Sequence, residues 1–157
     1  MIMETSMSLL QRQQLTSSPL TRFSSVVTAP QNMRDDLLDP NKTHDSLIDY
    51  LSDVILAHNI PFEFTVIRTG HHDDGPHGHF GGFAADGWPL NSTNEGDFAP
   101  AQSTVMTKFL TAAAHSKFAR QIGLGGTSNT PGNMATIAAV THFPDGTQDH
   151  VHLGAVI

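Results

Sequence analysis

The chain predicts an α+β fold, an antiparallel sheet with helices packed on one side. Three observations carry that expectation. Apolar residues recur at helical spacing in two separate segments, 43–58 and 104–121. Short alternating or continuous apolar runs lie between and after them. The last two of these runs flank Pro144-Asp145-Gly146-Thr147, and Asp-Gly between apolar runs signals a hairpin, hence antiparallel neighbours.

Residues 1–40 are rich in Ser, Thr, Gln and Pro and hold no sustained apolar period. Pro19, Pro30 and Pro40 punctuate them and argue against one long helix. This stretch is expected to be an extended or loosely packed arm, suited to docking on a partner protein, ahead of a domain spanning 41–157. Thr43 is the expected N-cap of a helix over 43–58, with Leu47, Ile48, Leu51, Val54 and Ile55 as its buried face. Asn59 and Pro61 end it. Residues 62–68 alternate as a strand, with Phe62, Phe64 and Val66 on one face.

A loop over 69–82, rich in Gly, His, Asp and Pro, leads to a short strand at 83–86. Residues 87–103, which hold the lone tryptophan Trp88, are expected to be irregular. A helix over 104–114 and a second over 116–121, halted by Gly123, carry Met106, Phe109, Leu110, Ala113 and Phe118 as a core-facing stripe. Gly125-Gly126-Thr127-Ser128-Asn129 resembles a phosphate loop only superficially, since it lacks the lysine and the strand-to-helix setting. Strands over 135–143 and 149–156 complete the expected order.

A length of 157 residues suits one domain with a tail. Charged residues make up 15% and hydrophobic ones 38%, too apolar a balance for a disordered chain. The net charge of -7, with no Lys/Arg cluster, would repel a phosphate backbone, so no nucleic-acid partner is expected. No apolar run approaches the roughly 20 residues of a membrane span. Cysteine is absent, which leaves only nitrogen and oxygen ligands for any metal.

Those ligands are abundant. His71, His72, His77 and His79 crowd one loop, and His142, His150 and His152 lie near the C-terminus. Histidine is the commonest metal ligand, and two of these seven are expected to bind. His79-x-x-Gly82-x-Ala84-x-Asp86 places an imidazole and a carboxylate around a glycine turn and a short strand, where the small Ala84 leaves room on the Asp86 face. Gly81 and Gly82 argue against a helix there. Period-two geometry puts His150 and His152 on one face of the last strand, so either can complete a set of two histidines and one carboxylate. Three protein ligands with an open fourth position suit a catalytic zinc ion, whereas four would close a structural one.

The motif His79-x-x-Gly82-x-Ala84-x-Asp86 with the later His150-x-His152 resembles the M15 peptidases, over about residues 62–157. That group holds D-Ala-D-Ala carboxypeptidases, phage L-alanyl-D-glutamate endopeptidases and the zinc domain of hedgehog signalling proteins. The resemblance implies a hedgehog- or DD-peptidase-like fold and Zn2+ bound by His79, Asp86 and His152. It implies that Arg68 binds substrate or steadies the oxyanion, and that Asp149, three residues before the last ligand, is the general base. Strand alternation would turn Asp149 away from His152 unless it precedes regular pairing, and His150 is the other candidate for proton transfer. His77 stands where that family carries serine. His71, His72, Asp73 and Asp74 are expected as solvated loop residues or as tuners of substrate entry.

The expected activity is therefore a metallopeptidase, carboxypeptidase or endopeptidase, acting on peptidoglycan stem peptides. The N-terminal residues lack the basic start and apolar run of a secretory signal. Delivery to the cell wall is accordingly expected through holin-type release or from a virion, as for a phage endolysin. Two rivals stand beside it. One is a non-catalytic zinc module of a larger assembly; the other is a histidine-rich metal-binding protein binding well over one zinc per chain.

Overall fold

Apolar side chains that the sequence distributes at helical spacing do form helices here, and the strands interleave in an order that local signals do not specify. A computed structural model describes residues 2–17, 28–69, 74–125, 140–143 and 150–157. Helix α1 spans Ile2–Ser17, α2 Thr28–Leu38 and α3 Asp45–Leu51, the last continuing as a π-helical turn over Ser52–Leu56. Strand β1 covers Phe62–Val66 and β2 Ala84–Pro89. Helix α4 (Thr104–His115) then precedes β3 (Ala119–Gly125), β4 (Val140–Phe143) and β5 (Val151–Ala155). The class is α+β.

The sheet order is β1-β2-β5-β3-β4. The first four strands are antiparallel neighbours, and β4 lies parallel to β3 at the edge. Leu153 pairs with Ala85 of β2 on one side and Ile122 of β3 on the other. With Phe62, Phe64, Val151 and Ala155 they form the apolar face of the sheet, which packs against Leu47, Ile48, Leu51, Val54 and Ile55 of α3 and its π turn and Met106, Phe109, Leu110 and Ala113 of α4. Phe62 stacks on Phe109 with ring centroids 5.2 Å apart. Alternation sends Asp86 and His152 to the opposite face.

Four local expectations are corrected. The N-cap of α3 is His44, whose ring accepts the N–H of Ser46; the Thr43 hydroxyl donates instead to the Asp36 carbonyl. Residues 87–89 extend β2, and Trp88 donates its Nε1–H to the Ala99 carbonyl. The segment expected as a helix over 116–121 enters β3, because Ser116 turns extended after α4 and Ile122 is drawn under the helices opposite Leu153. The expected hairpin partners are not neighbours: β3 lies between β4 and β5, so β5 is hydrogen-bonded along both edges. The Asp145-Gly146 turn and residues 126–139 and 144–149 lie outside the described residues.

Of the expected extended or loosely packed arm over 1–40, the described residues 2–17 and 28–38 are helical instead. Leu15, Met33 and Leu37 join the main core, and Arg12, 3% exposed, donates to the carbonyls of Leu37 and Thr43 and to Asp45 Oδ1 at 2.6–2.7 Å. The core therefore draws on both sides of position 40. Sparse anchors suffice because Leu15 and Leu37 bury fully and Met33 nearly so, and Pro30 sits in the first turn of α2, where its missing N–H costs nothing. No helix among the described residues is long and apolar enough to cross a membrane.

Candidate metal centre

The loop before β2 is shaped by its short polar and glycine residues. Asp74 accepts the backbone N–H of both His79 and Phe80 at 2.9 Å, which winds residues 74–80 into a tight turn. Gly82 then adopts φ +82°, and its carbonyl accepts the His44 N–H at 2.8 Å. A Cβ at Gly82 would stand 2.7 Å from the Lys42 carbonyl oxygen, so only glycine fits this approach. The result delivers His79 under the sheet with 1% exposure.

There the imidazole is committed at one end. Nδ1 lies 2.6 Å from the Ile67 carbonyl, which can only accept, so Nδ1 carries the proton. Nε2 faces Asp86 Oδ1 at 3.2 Å. The β2–β5 register sets Asp86 directly beside His152, whose Nδ1 is 2.9 Å from the same oxygen. The His79 and His152 rings meet edge to face at 5.1 Å. His150, two residues before His152, places Nε2 3.7 Å from Asp86 Oδ2, and its side chain is 28% exposed. The cluster is thus sealed on the His79 side and opens past His150 and His152.

Electrostatics bind the three groups together. Burial works to raise the Asp86 pKa, but the hydrogen bonds and positive charge of His152 and His79 outweigh it and hold the carboxyl well below its usual range. Burial likewise works against charge on His79, yet the hydrogen bond and charge of Asp86, with the Ile67 carbonyl, raise its pKa above the ordinary value.

One ligand atom from each of His79, Asp86 and His152 lies within 4.8 Å of the others. Tetrahedral N/O coordination at 2.0–2.2 Å sets ligand atoms about 3.4 Å apart, inside that spread. The tautomer fixed by Ile67 leaves the His79 Nε2 lone pair for a cation, and an orienting partner on the far nitrogen is what ligand histidines normally have. The donor set fits a metal ion: these three residues can hold one through two nitrogens and one oxygen.

The other expected site residues fall out differently. Arg68 donates from Nη1 to the Asn41 carbonyl at 3.0 Å and lies over the Phe80 ring at 4.7 Å; neither partner belongs to the cluster. His77 is exposed, and its carbonyl accepts from Arg120. Asp149, His71, His72 and Asp73 lie outside the described residues, as does the side chain of His142. Asp74, expected as solvated or as a tuner of substrate entry, is exposed and also braces the loop that carries His79. Its spacing of five from His79 is a local turn signal that the sequence carries. The Ile67 carbonyl carries no such signal. Comparisons with known protein families, with curated proteins and with solved structures returned no match.

Proposed function

We propose that this protein is a zinc-dependent peptidase that hydrolyses peptidoglycan stem peptides, of the M15 type that its motif resembles. The observation that carries the reading is the convergence of His79, Asp86 and His152, from a loop and two strands, around one point that opens to solvent on one side. Two imidazoles and a carboxylate suit zinc when the fourth position is left for water. When bound, zinc supplies Lewis acidity, acidifying water and polarising the peptide carbonyl.

The chain's own residues do the rest. Asp149, which directly precedes His150 in the sequence, takes the proton from the attacking water as general base. The water oxygen bonds to the carbonyl carbon, the C–N bond breaks, and Asp149 returns the proton to the leaving amine. His150, partly open beside Asp86, is placed to donate a hydrogen bond to the developing oxyanion. Its position supports it for this role over Arg68, whose guanidinium is engaged with Asn41 and Phe80. Iron is another metal that a two-histidine, one-carboxylate set accepts, and elemental analysis separates it from zinc.

The test is mass spectrometry of purified peptidoglycan after incubation with the protein, with and without a chelator. Release of D-Ala or of cleaved stem peptides that stops on chelation and returns with zinc is the expected result. Asp149→Ala with zinc retained should abolish turnover. Intact muropeptides in every arm, with zinc bound, would leave the centre a structural metal module and sink the peptidase reading.

A further inference from the structure

We propose that Asp36, on α2, is a positioning residue for the metal centre, acting on His79 through a single peptide group. The inference rests on the reading of His79 as a cation ligand. Asp36 is 1% exposed, although it is a carboxylate. Its Oδ2 accepts the backbone N–H of Arg68 at 3.1 Å and of Thr69 at 2.6 Å, and its Oδ1 accepts the Thr69 hydroxyl at 2.6 Å. Lys42 Nζ lies 3.2 Å from Oδ1.

The Arg68 N–H belongs to the same planar peptide unit as the Ile67 carbonyl, and that carbonyl accepts the His79 Nδ1–H at 2.6 Å. A trans peptide points its two polar groups in opposite directions, so one peptide stands between a buried carboxylate and a ligand imidazole. Negative charge at the N–H end polarises the unit and makes its oxygen a stronger acceptor. The stronger acceptor orients the His79 ring and makes Nε2 a better donor to a metal. Direct carboxylate–histidine–metal pairs do the same without the intervening peptide. The second Asp36 contact, to Thr69, prevents the peptide from rotating away. Nothing in this arrangement touches substrate.

Two readouts test it. One is the His79 Nδ1–H proton in the long-range proton–nitrogen spectrum of metal-free protein; the other is the zinc Kd from chelator competition. Asp36→Asn should shift that proton upfield and weaken zinc binding roughly tenfold to hundredfold, the usual range for an outer partner of a ligand histidine. Thr69→Val, at an exposed position, should fold normally and weaken zinc in the same direction by under about tenfold, below the range for a direct outer partner; it carries the test alone if Asp36→Asn does not fold. Wild-type protein that binds no zinc would remove the metal reading, while the His79 signal would still report the Asp36 coupling. Wild-type zinc binding with an unchanged Kd and an unchanged His79 signal in the variants would overturn the Asp36 role. A lowered Tm alone would do so too.

Discussion

Asp86 is the residue on which the proposed chemistry turns, because both of its oxygens face imidazoles and it is 5% exposed. The sign of its pH dependence follows from the shifts. Its lowered pKa adds stability to metal-free protein above the ordinary 3.8, lost as pH falls through the folded value. The raised pKa of His79 adds stability that is complete below the ordinary 6.5 and fades as pH rises through the folded value. Metal-free protein should therefore be most stable between about pH 4 and 6.5, measurable as a maximum in Tm. On the proposed reading zinc displaces the proton that His79 Nε2 carries in the charged ring, so its affinity should rise about tenfold per pH unit below the folded His79 pKa and level off above it. A zinc Kd flat from pH 5.5 to 8 would show that His79 is not a ligand. Asp86→Asn should bring bound zinc from about one per chain to near zero, read by elemental analysis, whereas His150→Ala should keep the metal and lose turnover. The spacing of His79, Gly82, Ala84 and Asp86 makes this cluster legible in the sequence. The Ile67 peptide is not, since a backbone carbonyl leaves no mark on a sequence.

Elements aim these residues, and the β2–β5 register is the decisive one. A slip of one residue would set His152 opposite Ala85 or Gly87 instead of Asp86, sending the imidazole into the core. Leu153, fully buried between two strands and under the helices, resists that slip; Leu153→Ala should cost about 2–5 kcal/mol. The loop before β2 is equally constrained. Gly82→Ala has to place a side chain at φ +82° and within 2.7 Å of a carbonyl oxygen. About 1–3 kcal/mol of strain is expected, together with a displaced His79. The measurement is denaturant unfolding alongside zinc content, and a Gly82→Ala protein with full zinc and wild-type stability would contradict the geometry. The helices α3 and α4 and strand β1 are legible in the sequence because their periods coincide with burial, whereas β2, buried at every position, is legible only in its first half. β3 is not: Phe118 continues the apolar stripe of α4, and only its pairing with β5 reveals a strand. The hairpin signal misleads for the same reason, as a turn motif records local geometry and not which strand fills the gap beside β2.

For the whole molecule, the question is whether the N-terminal helices belong to the folding unit. Their composition suggests otherwise, because three anchors scattered over a polar stretch give no period to detect. In the fold, Leu15 and Leu37 are completely buried and Met33 nearly so. At about 1.5–3 kcal/mol for each such side chain, their burial amounts to roughly 5–9 kcal/mol, comparable with the entire 5–15 kcal/mol of a typical domain. Arg12 adds a second tie, since removing it would strip the carbonyls of Leu37 and Thr43 of a buried donor. Asp36 links the same layer to the exit of β1. A chain trimmed to residues 41–157 should therefore fail to give a cooperative thermal transition and should hold zinc poorly, even though all three proposed ligands remain. The milder Leu37→Ala, which leaves a cavity without removing α2, should lower stability by about 2–5 kcal/mol while keeping zinc stoichiometry. Calorimetry and elemental analysis on both proteins decide it. A trimmed chain with the Tm and zinc content of the full one would make the two helices an appendage, and the metal centre would then depend on the sheet and its loop alone.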